Sequence, residues 1–334
     1  MEMFALEHDV AQWESALLPL RGAGRVPLLL LLSWHLRQRD CARAIQLSEE
    51  AQLLLPLAGL EAGAQERARA RLQLVQAEVA WLQGALDSAE SLAMAARATC
   101  DAHGDGAGCA DAHWLLSSIA VDRGDHARCD AELLAAAEQA RSAGDAMRAS
   151  LADAATARWA VLRDAPAAQA RWGGHFQIDG AGGKLPAPLA AWVHDFRGLL
   201  AHTSRDLGTA AGHYMQSYEA ALESGQLRGA ITAAINIGDC FSSLNDNESA
   251  LEWMQCALDL ARPTGWPAGR PTPRRRRWRR WRPAGRWPGQ RTMPRDATPK
   301  NSRMARMCCA TSGDDAASSS NRAALDSSRV RPER

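Results

Sequence analysis

Between Arg39 and Ala261 the chain repeats one pattern of small, apolar and polar positions. Small or apolar residues return at helical spacing, as in Ala89, Ala93 and Ala96, or Cys129, Leu133 and Ala136. Between such runs stand short clusters that break helices: Gly22-Ala23-Gly24, Gly59 to Gly63, Gly104 to Gly108, Ser142-Ala143-Gly144, Gly180 to Gly183 and Ser224-Gly225. Val, Ile and Thr are sparse over residues 1–262, while Ala, Leu, Gln, Glu and Arg dominate, so strand signals are nearly absent. The pattern predicts helix, short turn, helix, repeated along residues 1–262.

The repeat has a length. The clearest unit runs Ala234-Ile235-Asn236-Ile237-Gly238-Asp239-Cys240-Phe241, then Asn245-Asp246-Asn247, then Ala250-Leu251-Glu252-Trp253-Met254-Gln255-Cys256-Ala257. Small residues at Gly238 and Ala250 allow two antiparallel helices to approach closely, with Phe241, Trp253 and Met254 filling space around them. Weaker copies lead from Arg39-Asp40-Cys41 to Ala44, Ser48 and Ala51, and from Gly84-Ala85-Leu86 to Ala89. Others lead from Gly124-Asp125-His126 to Cys129, and from Asp206-Leu207-Gly208-Thr209-Ala210 to Tyr214 and Ser217. Anchors at 44, 89, 129, 210 and 250 give a period near 40, with room for one degenerate unit around Leu162 to Ala170.

This unit resembles the tetratricopeptide repeat. Ala234, Ile237, Gly238 and Phe241 take its first-helix positions and Ala250, Met254 and Ala257 its second-helix positions; Met254 stands where the family usually has an aromatic. In the earlier copies Ala89, Ala210 and Tyr214 hold corresponding structural positions. The resemblance implies an all-α, TPR-like antiparallel helical-hairpin solenoid over residues 1–262, whose stacked pairs bury a continuous core. It also implies a concave face suited to an extended peptide or a partner helix. The period is longer than the usual unit, and the array resembles the sensory region that precedes the GGDEF module of some bacterial diguanylate cyclases and the helical region of large ATP-dependent transcriptional activators. The cyclase output motif is absent: Gly313-Asp314-Asp315 is followed by Ala316. Cyclase chemistry is therefore not carried over, and the resemblance implies a sensory half with its output domain lost.

Near residue 262 the pattern stops. Residues 263–334 hold 18 Lys/Arg against 5 Asp/Glu, leaving 21 against 33 for residues 1–262. The net charge of +1 thus conceals a basic tail on an acidic body. Arg274, Arg275, Arg276, Arg277, Trp278, Arg279, Arg280, Trp281 and Arg282 form a basic and aromatic cluster able to neutralise phosphates and stack on bases. Two readings stand for this segment: a genuine polyanion-binding tail, or out-of-frame translation of a GC-rich gene. Both expect disorder.

Candidate chemistry changes this picture little. Cys100, His103, Cys109 and His113 have ligand types but no recognised finger spacing. The loop from Asp101 to Gly108 lacks the twelfth-position Glu of a calcium loop, where Ala112 stands. Gly183-Lys184 is followed by Leu185, so no phosphate loop is formed. His194 and Asp195 are adjacent, and His202 and Asp206 are four apart on an expected common helix face. No catalytic residue, cofactor or metal is expected. Trp81, Trp114, Trp159, Trp192 and Trp253 are expected in the core, and Trp172, beside Gly173-Gly174, as a loop contact.

Eight cysteines outside any small secreted framework suit free thiols. The acidic start MEMFALEHDV argues against a secretory signal, and the apolar run Pro27–Leu32 is too short to span a bilayer. The expectation is a cytoplasmic, noncatalytic protein-interaction scaffold with a protein or peptide partner or a second copy of itself. The alternatives are a truncated cyclase regulatory region and weak nucleic-acid contact through the tail.

Overall fold

In a computed structural model of the chain, residues 1–176 and 184–262 are described. They fall within one unit, Met1–Arg282. Among them every regular element is helical. The helices are α1 (Glu7–Leu17), α2 (Val26–Leu36), α3 (Cys41–Leu54), α4 (Ala62–Leu82), α5 (Leu86–Ala102), α6 (Gly106–Arg123), α7 (His126–Ser142), α8 (Ala146–Val161), α9 (Ala165–Trp172), α10 (Ala187–Thr203), α11 (Leu207–Glu223), α12 (Leu227–Ser243) and α13 (Asn247–Ala261). The tail, with Arg274 to Arg282, Cys308 and Cys309, and the turn at Gly180 to Gly183 lie outside the described residues.

Punctuation fixes the lengths. A residue with positive φ ends α4, α5, α6 and α7, at Gly84, Gly104, Gly124 and Gly144, and α10, α11 and α12, at Arg205, Gly225 and Asn245. The interval is twenty residues in both runs, one helix plus its turn, so a hairpin takes forty. At Gly124 the left-handed conformation costs nothing sterically; its own N–H bonds back to the carbonyl of Val121 and that of Asp125 to the carbonyl of Ala120. Asp follows directly at 105, 125, 145, 206 and 246, and each carboxylate accepts from the backbone N–H three residues on. Asp40 and Asp164 do the same. Each such cap is worth about 1 kcal/mol and also suits the positive end of the helix dipole.

Six hairpins result: α2–α3, α4–α5, α6–α7, α8–α9, α10–α11 and α12–α13. Each helix packs on its sequence neighbours, and successive first helices also touch one another, which makes a two-layer solenoid. The degenerate fourth unit is visible as the short α9, where Ala168 and Trp172 are buried. The apolar run Pro27–Leu32 lies in α2, with Leu29 and Leu32 fully buried. No helix among the described residues is long and apolar enough to cross a membrane.

The array curls until its ends meet. The turn after α2 reaches the start of α12, where Gln38 Oε1 accepts from the Arg228 backbone N–H at 3.3 Å. Arg39 Nη2 donates to the carbonyl of Glu223 at 3.3 Å, and Arg228 Nη2 to Asp122 of α6 at 2.6 Å. The Arg228 guanidinium also stands over the Trp81 ring at 3.9 Å. The first helices therefore surround a shared interior, and one continuous apolar cluster runs from Met3 and Phe4 through Leu29, Leu72, Trp114 and Leu151 to Phe196.

Candidate functional site

The second helices bury small residues because they must lie close to their partners. Ala89 on α5, Ala210 on α11 and Ala250 and Ala257 on α13 are all buried, as is Tyr214. Tyr214 packs against Gly198 of α10 so closely that a Cβ there would meet its ring at 2.8 Å. Ile237 and Gly238 are buried on α12, while Phe241 is half-buried. A Cβ on Gly238 would lie 3.0 Å from Met254 Cε and 3.2 Å from the Ala250 carbonyl oxygen. Met254 is half-buried. The fully enclosed aromatic beside it is Trp253, edge-on to Tyr218 at 5.2 Å.

Charge is buried on the first helices. Asp111 of α6 is sealed from solvent between Arg71 of α4 and Arg148 of α8. Arg148 Nε and Nη2 donate to its carboxylate at 2.9 and 3.1 Å, and Arg71 Nη1 donates to it from the other side. Burial alone would raise the Asp111 pKa, but Arg148 and Arg71 outweigh it and hold the carboxyl below its ordinary value. One hairpin earlier, Glu78 accepts from Arg37 Nε at 2.5 Å and from Gln38 Nε2 at 2.6 Å. One hairpin later, Arg158 pairs with Asp195, which also accepts from Asn236 at 3.4 Å. Trp34 lies under two guanidiniums, Arg37 at 3.8 Å and Arg71 at 4.7 Å.

The interior is occupied. Residues Met1–Leu6 precede α1 without helical structure, and Met3, Phe4 and Ala5 are buried against the first helices. Four backbone carbonyls of this segment are held by side chains of the array. Arg148 Nη2 donates to Met1 at 2.7 Å, Trp34 Nε1 to Glu2 at 2.9 Å, Arg37 Nη2 to Met3 at 3.1 Å and Arg39 Nη2 to Ala5 at 2.6 Å. The Arg37 guanidinium also stands 5.2 Å from the Phe4 ring centroid. Beside it His35 is 5% exposed, and burial followed by Arg37 and Arg39 pushes its pKa down to about 3. Neither His35 ring nitrogen has a hydrogen-bond partner; its ring packs near Trp13 at 5.1 Å.

Other expected candidates are dispersed. Cys100 is buried in the last turn of α5, and Cys109 is buried in the first turn of α6. His103 is an exposed turn residue. His113 lies inside α6, and its Nδ1 stands 2.7 Å from Glu132 of α7. No group of three His, Cys, Asp or Glu residues that could hold a metal ion is gathered among the described residues. His194 stands near His213, with ring nitrogens 3.3 Å apart, rather than serving Asp195. His202 and Asp206 do not pair. His202 reaches Asp239 at 3.4 Å, because Asp206 belongs to the next helix as its cap. Trp172 is corrected as well: it is the last residue of α9, 7% exposed and stacked near Phe176. The packing needed to close a short helix draws it inward. Trp81, Trp114 and Trp253 are buried; Trp159 and Trp192 are half-buried.

The six described cysteines are buried, and Cys41, Cys100, Cys109, Cys129 and Cys240 are free thiols. Burial, reinforced by neighbouring acids, pushes Cys100 and Cys129 up to about 12, so these thiols stay protonated and unreactive.

The buried charges of the first helices were missed because a charged residue in a helix is ordinarily solvated. One signal does point to them. Arg37 and Glu78, Arg71 and Asp111, Asp111 and Arg148, and Arg158 and Asp195 are separated by 41, 40, 37 and 37 residues. Each interval is close to one hairpin, which brings complementary groups side by side on adjacent first helices.

The geometry defines a helical-hairpin solenoid whose interior holds residues Met1–Leu6. No protein-family model matches the chain, and no relative is found among the curated proteins.

Proposed function

We propose that the chain is a noncatalytic, TPR-like interaction scaffold that holds a polypeptide in its inner groove. The observation that carries this reading is the seated segment Met1–Leu6, whose carbonyls meet Trp34, Arg37, Arg39 and Arg148. Donors aimed at backbone carbonyls recognise an extended chain whatever its side chains, and apolar walls add the affinity. Arg37 and Arg148 are pinned by Glu78 and Asp111, so they are preorganised for this task.

The test is binding of full-length protein to a library of labelled extended peptides, read by fluorescence anisotropy. Saturable one-to-one binding by a subset of sequences is expected. Uniform, nonsaturable retention of every peptide would remove the scaffold reading. Signal transduction, a bacterial cytoplasmic setting and a lost cyclase output rest on the repeat resemblance alone. Nucleic-acid contact through Arg274 to Arg282 rests on residues outside the described set.

A further inference from the structure

We infer that residues 1–6 are a built-in occupant of the groove. Its partner in trans is an extended peptide carrying an adjacent Met-Phe type pair, which binds when this segment leaves. The inference rests on the scaffold reading and adds the ligand class and its competitor.

Three observations support it. The segment is held like a ligand: Met3 and Phe4 are 4% and 6% exposed, while four of the first five carbonyls are read by side chains. Its contacts are made by groups anchored elsewhere. Arg148 also pairs with Asp111 and Asp145, and Arg37 with Glu78 and the Trp34 carbonyl, none of which belongs to the segment. Its tether is light. The segment continues into α1, which packs on α2 and buries only Val10 and Leu17 fully, so its departure breaks none of the six hairpins.

A tethered occupant competes at an effective concentration on the order of mM. A trans peptide therefore binds the parent more weakly than its intrinsic affinity by the fraction of molecules with the groove open. Sequence follows from the pockets: Met3 and Phe4 fill apolar space, the Phe4 ring lies near Arg37, and Glu7, next along the chain, pairs with Arg39.

The experiment uses the full chain and a labelled, acetylated peptide with the sequence of residues 1–8. Met3→Ala with Phe4→Ala is expected to keep parental helicity by circular dichroism and to bind this peptide at least tenfold more tightly than the parent. Adding Trp34→Phe, which removes the donor to the Glu2 carbonyl, is expected to weaken it severalfold. In the parent, saturating peptide is expected to raise deuterium uptake within residues 1–6. A folded double variant that binds no more tightly overturns the inference. If the double variant does not fold, the parent decides: unchanged uptake at saturating peptide overturns it and a rise sustains it. Should library peptides bind saturably while the residue 1–8 peptide does not, the scaffold reading stands and this inference falls. Should nothing bind saturably, both fall.

Discussion

On α5 the buried positions are Ala89, Ala93, Ala96 and Cys100, a single stripe of small residues with solvent on the far side. On α4, its hairpin partner, burial runs through Ala70, Arg71, Leu72, Leu74, Val75, Ala77, Glu78 and Val79, on nearly every face. The same contrast holds between α7 and α6. The second helices form the outer layer and bury one face. The first helices are packed between that layer and the interior that holds Met3 and Phe4, so they have little solvent to give their polar groups. Those groups are therefore paired with one another, Arg71 and Arg148 with Asp111, Arg37 with Glu78. The difference shows that a solenoid can have its charge network inside and its simplest packing outside.

The largest expected effect breaks the inner network. Asp111→Ala leaves two buried guanidiniums facing each other, and loss of one partner from a buried ion cluster typically costs about 3–5 kcal/mol. The outer counterpart is Asp259→Ala, which removes an exposed pair with Arg262 and is expected to change stability by less than about 0.5 kcal/mol. Urea denaturation of both variants checks this. Equal midpoints would show that the inner charges are solvated and the layer contrast is wrong.

A smaller effect sharpens the contrast at the contacts between layers. Gly198→Ala places a Cβ 2.8 Å from the buried Tyr214 ring, and overpacking of this kind costs about 1–3 kcal/mol. Gly238→Ala meets chiefly the flexible end of Met254 and is expected to cost less. Thermal melts that rank the two in the opposite order would mean that α10 and α11 have more room than α12 and α13.

Near neutral pH the smallest effect is that of a protonation, and it grows as the solution is acidified. An unfolded His35 takes up a proton below about pH 6.5. In the folded chain burial, then Arg37 and Arg39, hold its pKa down to about 3. Between these values the unfolded state binds more protons, so His35 makes stability rise with pH and fall on acidification. Arg148 adds to the repulsion from the inner side. His35→Gln is expected to flatten the stability profile from pH 6.5 down to about 4. A slope identical to that of the parent would place His35 in contact with water or an unseen partner.

The outer layer was legible in the sequence. Ala44, Ala89, Cys129, Ala210 and Ala250 could be picked out because one-sided burial imposes a local period, and Gly and Asp mark helix ends through backbone geometry that needs no distant partner. Gly238 could be read as a contact point because Ala250 and Met254, which it meets, lie within twenty residues of it. The site was less legible. Arg71 and Asp111 look like ordinary surface charges, and the interval near forty that pairs them has meaning only once hairpins stack. His202 and Asp206 were read as one helix face because the positive φ between them falls on Arg205 rather than on a glycine.

The sequence by itself therefore determined the all-helical class, most of the turns, the period near forty and the small-residue stripe of the second helices, all of which follow from interactions within a few turns of chain. Only the tertiary structure decided how far the array curls, that Gln38 meets Arg228, and that Met1–Leu6 fills the interior under Arg148. Those contacts join residues 190 and 147 positions apart. They depend on a small rotation between hairpins accumulated over six units, and no local pattern of hydrophobic and polar residues encodes that sum.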